Sequence, residues 1–174
     1  MELSPARRDG VIEAVKRYSS MVYRLAYART RNHADAEDIY QEVFLKLAKA
    51  DISFEDQEHV KAWLLRVAIN KAKDVTRRFR WKHTVSLEDL NEDIPFEDPE
   101  IGTFFDEVMN LPEKYRVAIH LFYYEDMAVK EIADCLQISE GSVKMRLSRG
   151  RDLLKERLTE DDDDDRSGKI QACG

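Results

Sequence analysis

The sequence predicts an all-α protein: two small helical domains joined by an acidic linker. Three observations predict it. Ala, Leu, Glu, Lys and Arg are abundant against only six Gly and four Pro, a balance that favours helix and leaves few breakers. Apolar residues recur at three- and four-residue steps, the period of a helix with one buried face. Charge is sorted by position, although the whole chain of 174 residues has a net charge of −7. That length suffices for one ordinary domain or two small ones, and an apolar content of 43% supports a core in each.

Val11, Val15, Tyr18, Val22 and Leu25 predict a first helix over about 11–31. Ile39, Val43 and Leu47 predict a second within Asp35–Lys49, where Asp35, Glu37 and Asp38 complement the helix dipole in its first turn. On this helix Asp38, Gln41, Glu42 and Leu45 share a face, presenting two carboxylates, an amide and an apolar knob together. Two readings stand: an ordinary solvated face, or a docking strip for a basic partner helix.

Val60, Leu64, Val67, Ala68, Val75 and Phe79 predict a third helix over about 58–81. Asn70 interrupts its helix-forming run, and an Asn side chain can hydrogen-bond along a base edge. Trp63, Phe79 and Trp81 lie among cations, the mixture that binds single strands by stacking and phosphate contact. Trp63 is equally a core residue, and Phe54 in the preceding loop suits either a core or the wall of a base pocket.

From Lys61 to Lys82 the chain holds eight Lys and Arg against Asp74 alone. From Thr84 to Asn110 it holds nine Asp and Glu and no Lys or Arg. Pro95 and Pro99 interrupt regular structure there, which places a linker at 84–100 between domains at 8–83 and 101–158. A self-repelling linker extends, and ~17 residues at ~3.4 Å each reach nearly 60 Å. A run of six acids, Glu160–Asp165, opens an acidic tail at 159–174.

In the second domain Pro112 suits a first helical position. Val129, Ile132, Ala133 and Leu136 line a short helix, Gln137–Ser139 makes a turn, and Ser139 caps the next helix. In that last helix Val143, Leu147, Gly150 and Leu154 face the core. Lys144, Met145, Ser148 and Arg149 then lie opposite, with Arg146 and Arg151 on the flanks and Ser142 and Gly141 near the start. Turn, cap, core stripe and basic face together form the pattern of a helix-turn-helix, whose second helix enters the DNA major groove; the alternative is a solvated basic helix.

Several function classes lose ground. The four His are scattered, and no metalloprotease motif, phosphate-binding Gly loop or Cys-x-x-Cys pair occurs, so neither an enzyme, a cofactor nor a metal is expected. A pairing of His120 with Cys135 is better read as core. Apolar runs are too short to span a membrane, no secretory leader is evident, and two cysteines make no disulfide framework, so a cytoplasmic protein is expected. A helix-turn-helix regulator with a sensory domain would need strands in residues 8–83, where none is predicted. A polymerase-binding adaptor that reads no promoter remains a second alternative.

In order along the chain, "DAEDIYQEVFLKL", "WLLRVAINKAKD" and "LPEKYRVAIHLFYYEDMAVKEIADCLQISEGSVKMRLSRGRDLLKERL" resemble the blocks of the extracytoplasmic-function sigma factors. These proteins retain only the second and fourth sigma domains. The resemblance covers about 150 residues, and it implies no enzymatic activity and no cofactor. It implies that Asp38, Gln41, Glu42 and Leu45 contact core RNA polymerase. It places Phe54 and Asn70, with Lys73 and Arg77 beside them, at an unpaired base of the −10 promoter element. It puts Ser142, Lys144, Met145, Ser148 and Arg149 on the face that reads the −35 element, with Arg146 and Arg151 on phosphates. Met145 departs from the small polar residue common there. The resemblance further implies an anti-sigma factor as a partner. For the acidic linker it leaves two readings: a mimic of RNA charge within the polymerase, or a solvated spacer.

Overall fold

The computed structural model describes residues 4–82 and 103–170, with side chains over 4–78 and 104–159. Among the described residues the elements are seven α-helices in order: α1 (Pro5–Thr30), α2 (His33–Lys49), α3 (Gln57–Lys82), α4 (Thr103–Met109), α5 (Glu113–Tyr123), α6 (Val129–Leu136) and α7 (Glu140–Ile170). They fall into two compact units: α1–α3 with Asp134–Gln137, and α4 to α7 without those four residues. The expected linker at 84–100 and the side chains of Phe79 and Trp81 lie outside the described residues.

In the first unit α1 starts earlier than its apolar stripe indicates, because Pro5 sits in the first turn, where its fixed φ fits and no N–H is needed. The helix ends at Arg31, whose left-handed backbone (φ 51°) sends its N–H to the Tyr27 carbonyl. The next residue, Asn32, already caps α2: its side-chain oxygen accepts the Asp35 N–H at 2.9 Å. This short junction turns α2 back against α1. Asp56 starts α3 in the same way, accepting the His59 N–H at 2.9 Å. Val22, Leu25, Ile39, Val43, Leu64, Leu65 and Ile69 fill the space between the three helices and are almost fully buried. Each such side chain contributes about 1.5–3 kcal/mol by leaving water.

The second unit contains a helix that the sequence reading lacks. α4 spans only seven residues, too few to show a period, yet it buries Phe105, Val108 and Met109. Its C-terminal end is held by Arg116 of α5, a buried side chain whose Nη1 donates to the carbonyls of Leu111 (2.9 Å) and Met109 (3.2 Å). Pro112 stands one place before α5 rather than at its first position, in an extended conformation that brings Glu113 to the helix start. His120 is fully buried, with Nε2 donating to Glu125 Oε1 at 3.1 Å and its ring stacked on Tyr124. Burial pushes the Cys135 thiol up to about 11, and both His120 and Cys135 are buried.

The turn between α6 and α7 is built from backbone chemistry. The Glu131 carboxylate accepts the Ala128 N–H at 2.7 Å, closing the first turn of α6. Gln137 takes a left-handed conformation (φ 56°), and the Ile138 N–H reaches back to the Ala133 carbonyl at 3.1 Å, which stops the helix. Ser139 Oγ then accepts the Ser142 N–H at 3.1 Å and starts α7. α7 does not end near Leu158, where the tail is expected to begin. It runs through Glu160–Asp165 to Ile170, because each residue of an established helix adds a hydrogen bond and no Pro intervenes.

Candidate nucleic-acid interface

α2 turns Ala36, Ile39, Val43, Phe44 and Leu47 inward. That leaves Asp38, Gln41, Glu42 and Leu45 together on the outer side, all exposed, Leu45 by 56%. An apolar side chain so exposed among carboxylates is a surface with contact chemistry on offer. Beside this strip, between α1 and α2, a cleft of about 430 Å³ is lined by Ser19, Ser20, Tyr23, Glu37, Tyr40 and Gln41. Burial, and then the Glu37 charge, raise the Tyr23 hydroxyl above its usual pKa. Burial, and then the Asp38 charge, raise the Asp35 carboxyl. The first half of α2 carries three carboxylates, Asp35, Glu37 and Asp38.

Asn70 and Arg77 are exposed on α3 and Lys73 is half-buried. With exposed Arg66 they follow one another at steps of four, three and four, which makes a single stripe along the helix. Phe54 meets Trp63 edge to face, ring centroids 5.9 Å apart at 72°, and both rings are half-buried. Trp63 lies two turns before Asn70, about 10 Å along the axis. The structure thus places Phe54 against Trp63. Phe54 also lines a cleft of about 290 Å³ with Val11, Ala14, Leu47, Ile52 and Val60, so part of its ring belongs to the unit's own apolar lining.

On α7 the core stripe is as expected: Val143, Leu147, Gly150 and Leu154 are buried. Lys144, Met145, Ser148 and Arg149 lie on the opposite side, all exposed, Met145 by 52%. Lys144 and Arg149 have no ion-pair partner among the described residues. Arg146 is half-buried on one flank, and Arg151 donates from Nη1 to the Tyr123 hydroxyl at 3.3 Å on the other. Ser142 sits in the cap, its hydroxyl 2.9 Å from that of Ser139. Gly141 has open space around it: an added Cβ would meet nothing nearer than Ser139 Oγ at 3.9 Å.

Some residues of these surfaces escape a sequence reading. Arg66 is visible there only as one of many cations, and Tyr123 as one aromatic in an apolar helix. Lys71, next to Asn70, forms an ion pair with Glu42 across the α2–α3 interface. No spacing within one helix signals a contact made between two.

Fold and surfaces define a helical protein of the helix-turn-helix class, with an exposed acidic face on one unit and a helix with an exposed basic face on the other. Residues 14–82 match sigma-70 region 2, and residues 106–154 match sigma-70 region 4. The ECF RNA polymerase sigma factor SigM of Bacillus subtilis is 33% identical over 151 residues, covering 82% of this chain and 91% of that protein. SigW of the same organism, also an ECF RNA polymerase sigma factor, is 29% identical over 168 residues, covering 87% and 90%. The fold is similar to that of the sigma factor RpoE solved with the anti-sigma factor NepR from Bartonella quintana (TM-score 0.70, 23% identity, 84% of this chain and 95% of that one). The chain belongs to the extracytoplasmic-function sigma factors of the sigma-70 family, which direct promoter-specific transcription by RNA polymerase.

Proposed function

We propose that this sigma factor works through three surfaces, each assigned to a different partner. α2 docks core RNA polymerase through Asp38, Gln41, Glu42 and Leu45. α3 holds unpaired non-template DNA of the −10 element, Asn70 hydrogen-bonding a flipped base while Lys73 and Arg77 hold phosphates. Phe54 contributes through Trp63, as an aromatic wall two turns away from Asn70. α7 lies in the major groove of the −35 duplex. There Lys144, Met145, Ser148 and Arg149 face base edges, and Arg146 and Arg151 face phosphates. Ser142 acts at the start of that helix, close to the backbone of the DNA.

The observation that carries this reading is the two-sidedness of α7. One side is fully committed to the core of its own unit, while the other offers Lys144 and Arg149 with no ion-pair partner among the described residues. Residues 8–83 and 101–158 are the working blocks in this reading, with 84–100 as tether. The chain makes and breaks no bonds itself, and it acts in the cytoplasm, where polymerase and chromosome are; among the described residues no helix is long and apolar enough to cross a membrane. Because the RpoE structure of similar fold contains NepR, an anti-sigma factor is the proposed inhibitor here too.

The test is transcription in vitro with added core polymerase and mapping of the start sites. Initiation at defined positions supports the reading. No association with core enzyme, or starts that are no more defined than those of core enzyme alone, would overturn it.

A further inference from the structure

Glu42 belongs to the proposed polymerase strip, and Lys71 stands next to Asn70 on the proposed −10 helix. The structure joins them in an ion pair, with the Lys71 side chain 36% exposed and that of Glu42 52%. Their neighbours are not so engaged. Asp38 on α2 has no ion-pair partner among the described residues, and neither have Arg66, Lys73, Arg77 and Arg78 on α3. Among the described residues, the charge pair connecting these two surfaces therefore holds a member of each.

From this geometry we infer that Glu42 and Lys71 form an exchange latch between polymerase docking and DNA binding. In the free chain Glu42 neutralises Lys71 and keeps its ammonium off DNA. When a cation of the core polymerase takes Glu42, Lys71 is released to a phosphate beside the base held at Asn70. A half-exposed ion pair suits this role because solvent keeps it weak and exchangeable. Lys71 follows Asn70 by 100° around the helix and 1.5 Å along it, so a flexible four-carbon stem reaches either Glu42 or the strand beside Asn70. Docking then raises the affinity for the −10 strand without any change in backbone, and linkage requires DNA to tighten docking by the same factor.

This inference rests on the surfaces assigned above, and its test separates the two. The slope of log affinity against log salt counts phosphates neutralised, about 0.7 per phosphate for single strands, whatever the base sequence. The probe is therefore a labelled oligothymidylate, titrated against the free chain and against reconstituted holoenzyme.

In the free chain Lys71→Gln leaves the slope unchanged, whereas Glu42→Gln steepens it by about 0.7 and the double variant removes that gain. In holoenzyme Lys71→Gln flattens the slope by about 0.7, a loss of about five-fold in affinity at ~0.1 M salt, and Lys71→Arg restores it. Equal slopes for wild type and Lys71→Gln in holoenzyme would overturn the latch, even if the variant melts at a lower temperature. So would a Glu42→Gln gain that survives in the double variant. If instead Asp38→Ala and Gln41→Ala leave association with core polymerase intact, the docking assignment falls, while the free-chain result for Glu42→Gln stands by itself.

Discussion

Gly150 is a position set by packing, whereas Asn70 is an exposed position to which a role in DNA binding is proposed. At Gly150, α5 and α7 approach so closely that an added Cβ would stand 2.8 Å from Ile119 Cγ1 and 3.5 Å from Tyr115 Cβ. Ile119 is fully buried and has nowhere to move. Gly150→Ala would gain about 1 kcal/mol of helix propensity but overpack the interface by about 1–3 kcal/mol. A net loss of up to about 2 kcal/mol is expected, read as a lower denaturation midpoint. Gly141→Ala, in the same helix with open space around it, is expected to be neutral or stabilising. Asn70 is the opposite case. It is exposed and sits inside a helix, where Ala is the better helix former, so Asn70→Ala should not lower the melting temperature. If its amide holds a flipped base, the variant loses about 1–3 kcal/mol in the open complex, roughly a five-fold to hundred-fold effect, with closed binding little changed. Permanganate reactivity of unpaired thymines against filter binding of closed complexes separates the two steps, and equal losses in both would refute the role.

Among the elements, α7 carries a prediction that distinguishes specifying residues from positioning ones. Arg149 faces outward without an ion-pair partner among the described residues, whereas Arg151 is tied to Tyr123 at the flank. Arg149→Ala should relax selectivity at one −35 position by about 1–3 kcal/mol, while Arg151→Ala should weaken all promoters alike and reduce the salt slope by about 1. A library of −35 variants transcribed by each holoenzyme checks this. The course of α7 also shows what a sequence discloses and what it does not. The stripe Val143, Leu147, Gly150, Leu154 and the cap Ser139 are repeated local signals, so helix, turn and outward face are legible together. α4 is not legible, because seven residues with Phe105, Val108 and Met109 buried hold less than two turns of pattern. Its fixing contact, Arg116 to the carbonyls of Met109 and Leu111, comes from the next helix. The extension of α7 through Glu160–Asp165 escapes a sequence reading because Asp is a weak helix former, and the preceding helix carries the run onward. The same limit hides the Glu42–Lys71 pair: both residues are visible, but their meeting depends on how α2 packs on α3.

For the whole molecule the question is how a chain of net charge −7 approaches a polyanion at all. Two basic stretches run along α3 from Arg66 to Arg78 and along α7 from Lys144 to Arg151, while residues 84–110 and 160–165 are acidic. Local attraction acts at contact, but the approach of the free chain feels the summed field over a Debye length of about 8 Å at physiological salt. Net negative charge therefore restrains nonspecific binding, which otherwise grows with every phosphate neutralised. If core polymerase supplies most of the DNA contact and fixes the two basic faces on the promoter, as the proposed function requires, that restraint is lifted. Deleting Glu160–Asp165 takes the formal charge from −7 to −1 without touching either face. The free variant should then bind random duplex DNA roughly ten-fold more tightly at low salt. The gain should shrink toward nothing near ~1 M salt, where the Debye length is about 3 Å. Within holoenzyme the same deletion should change promoter affinity far less, since the polymerase dominates the field there. Fluorescence anisotropy across a salt titration measures both, and a free variant indistinguishable from wild type at low salt would show that local charge alone governs the approach to DNA.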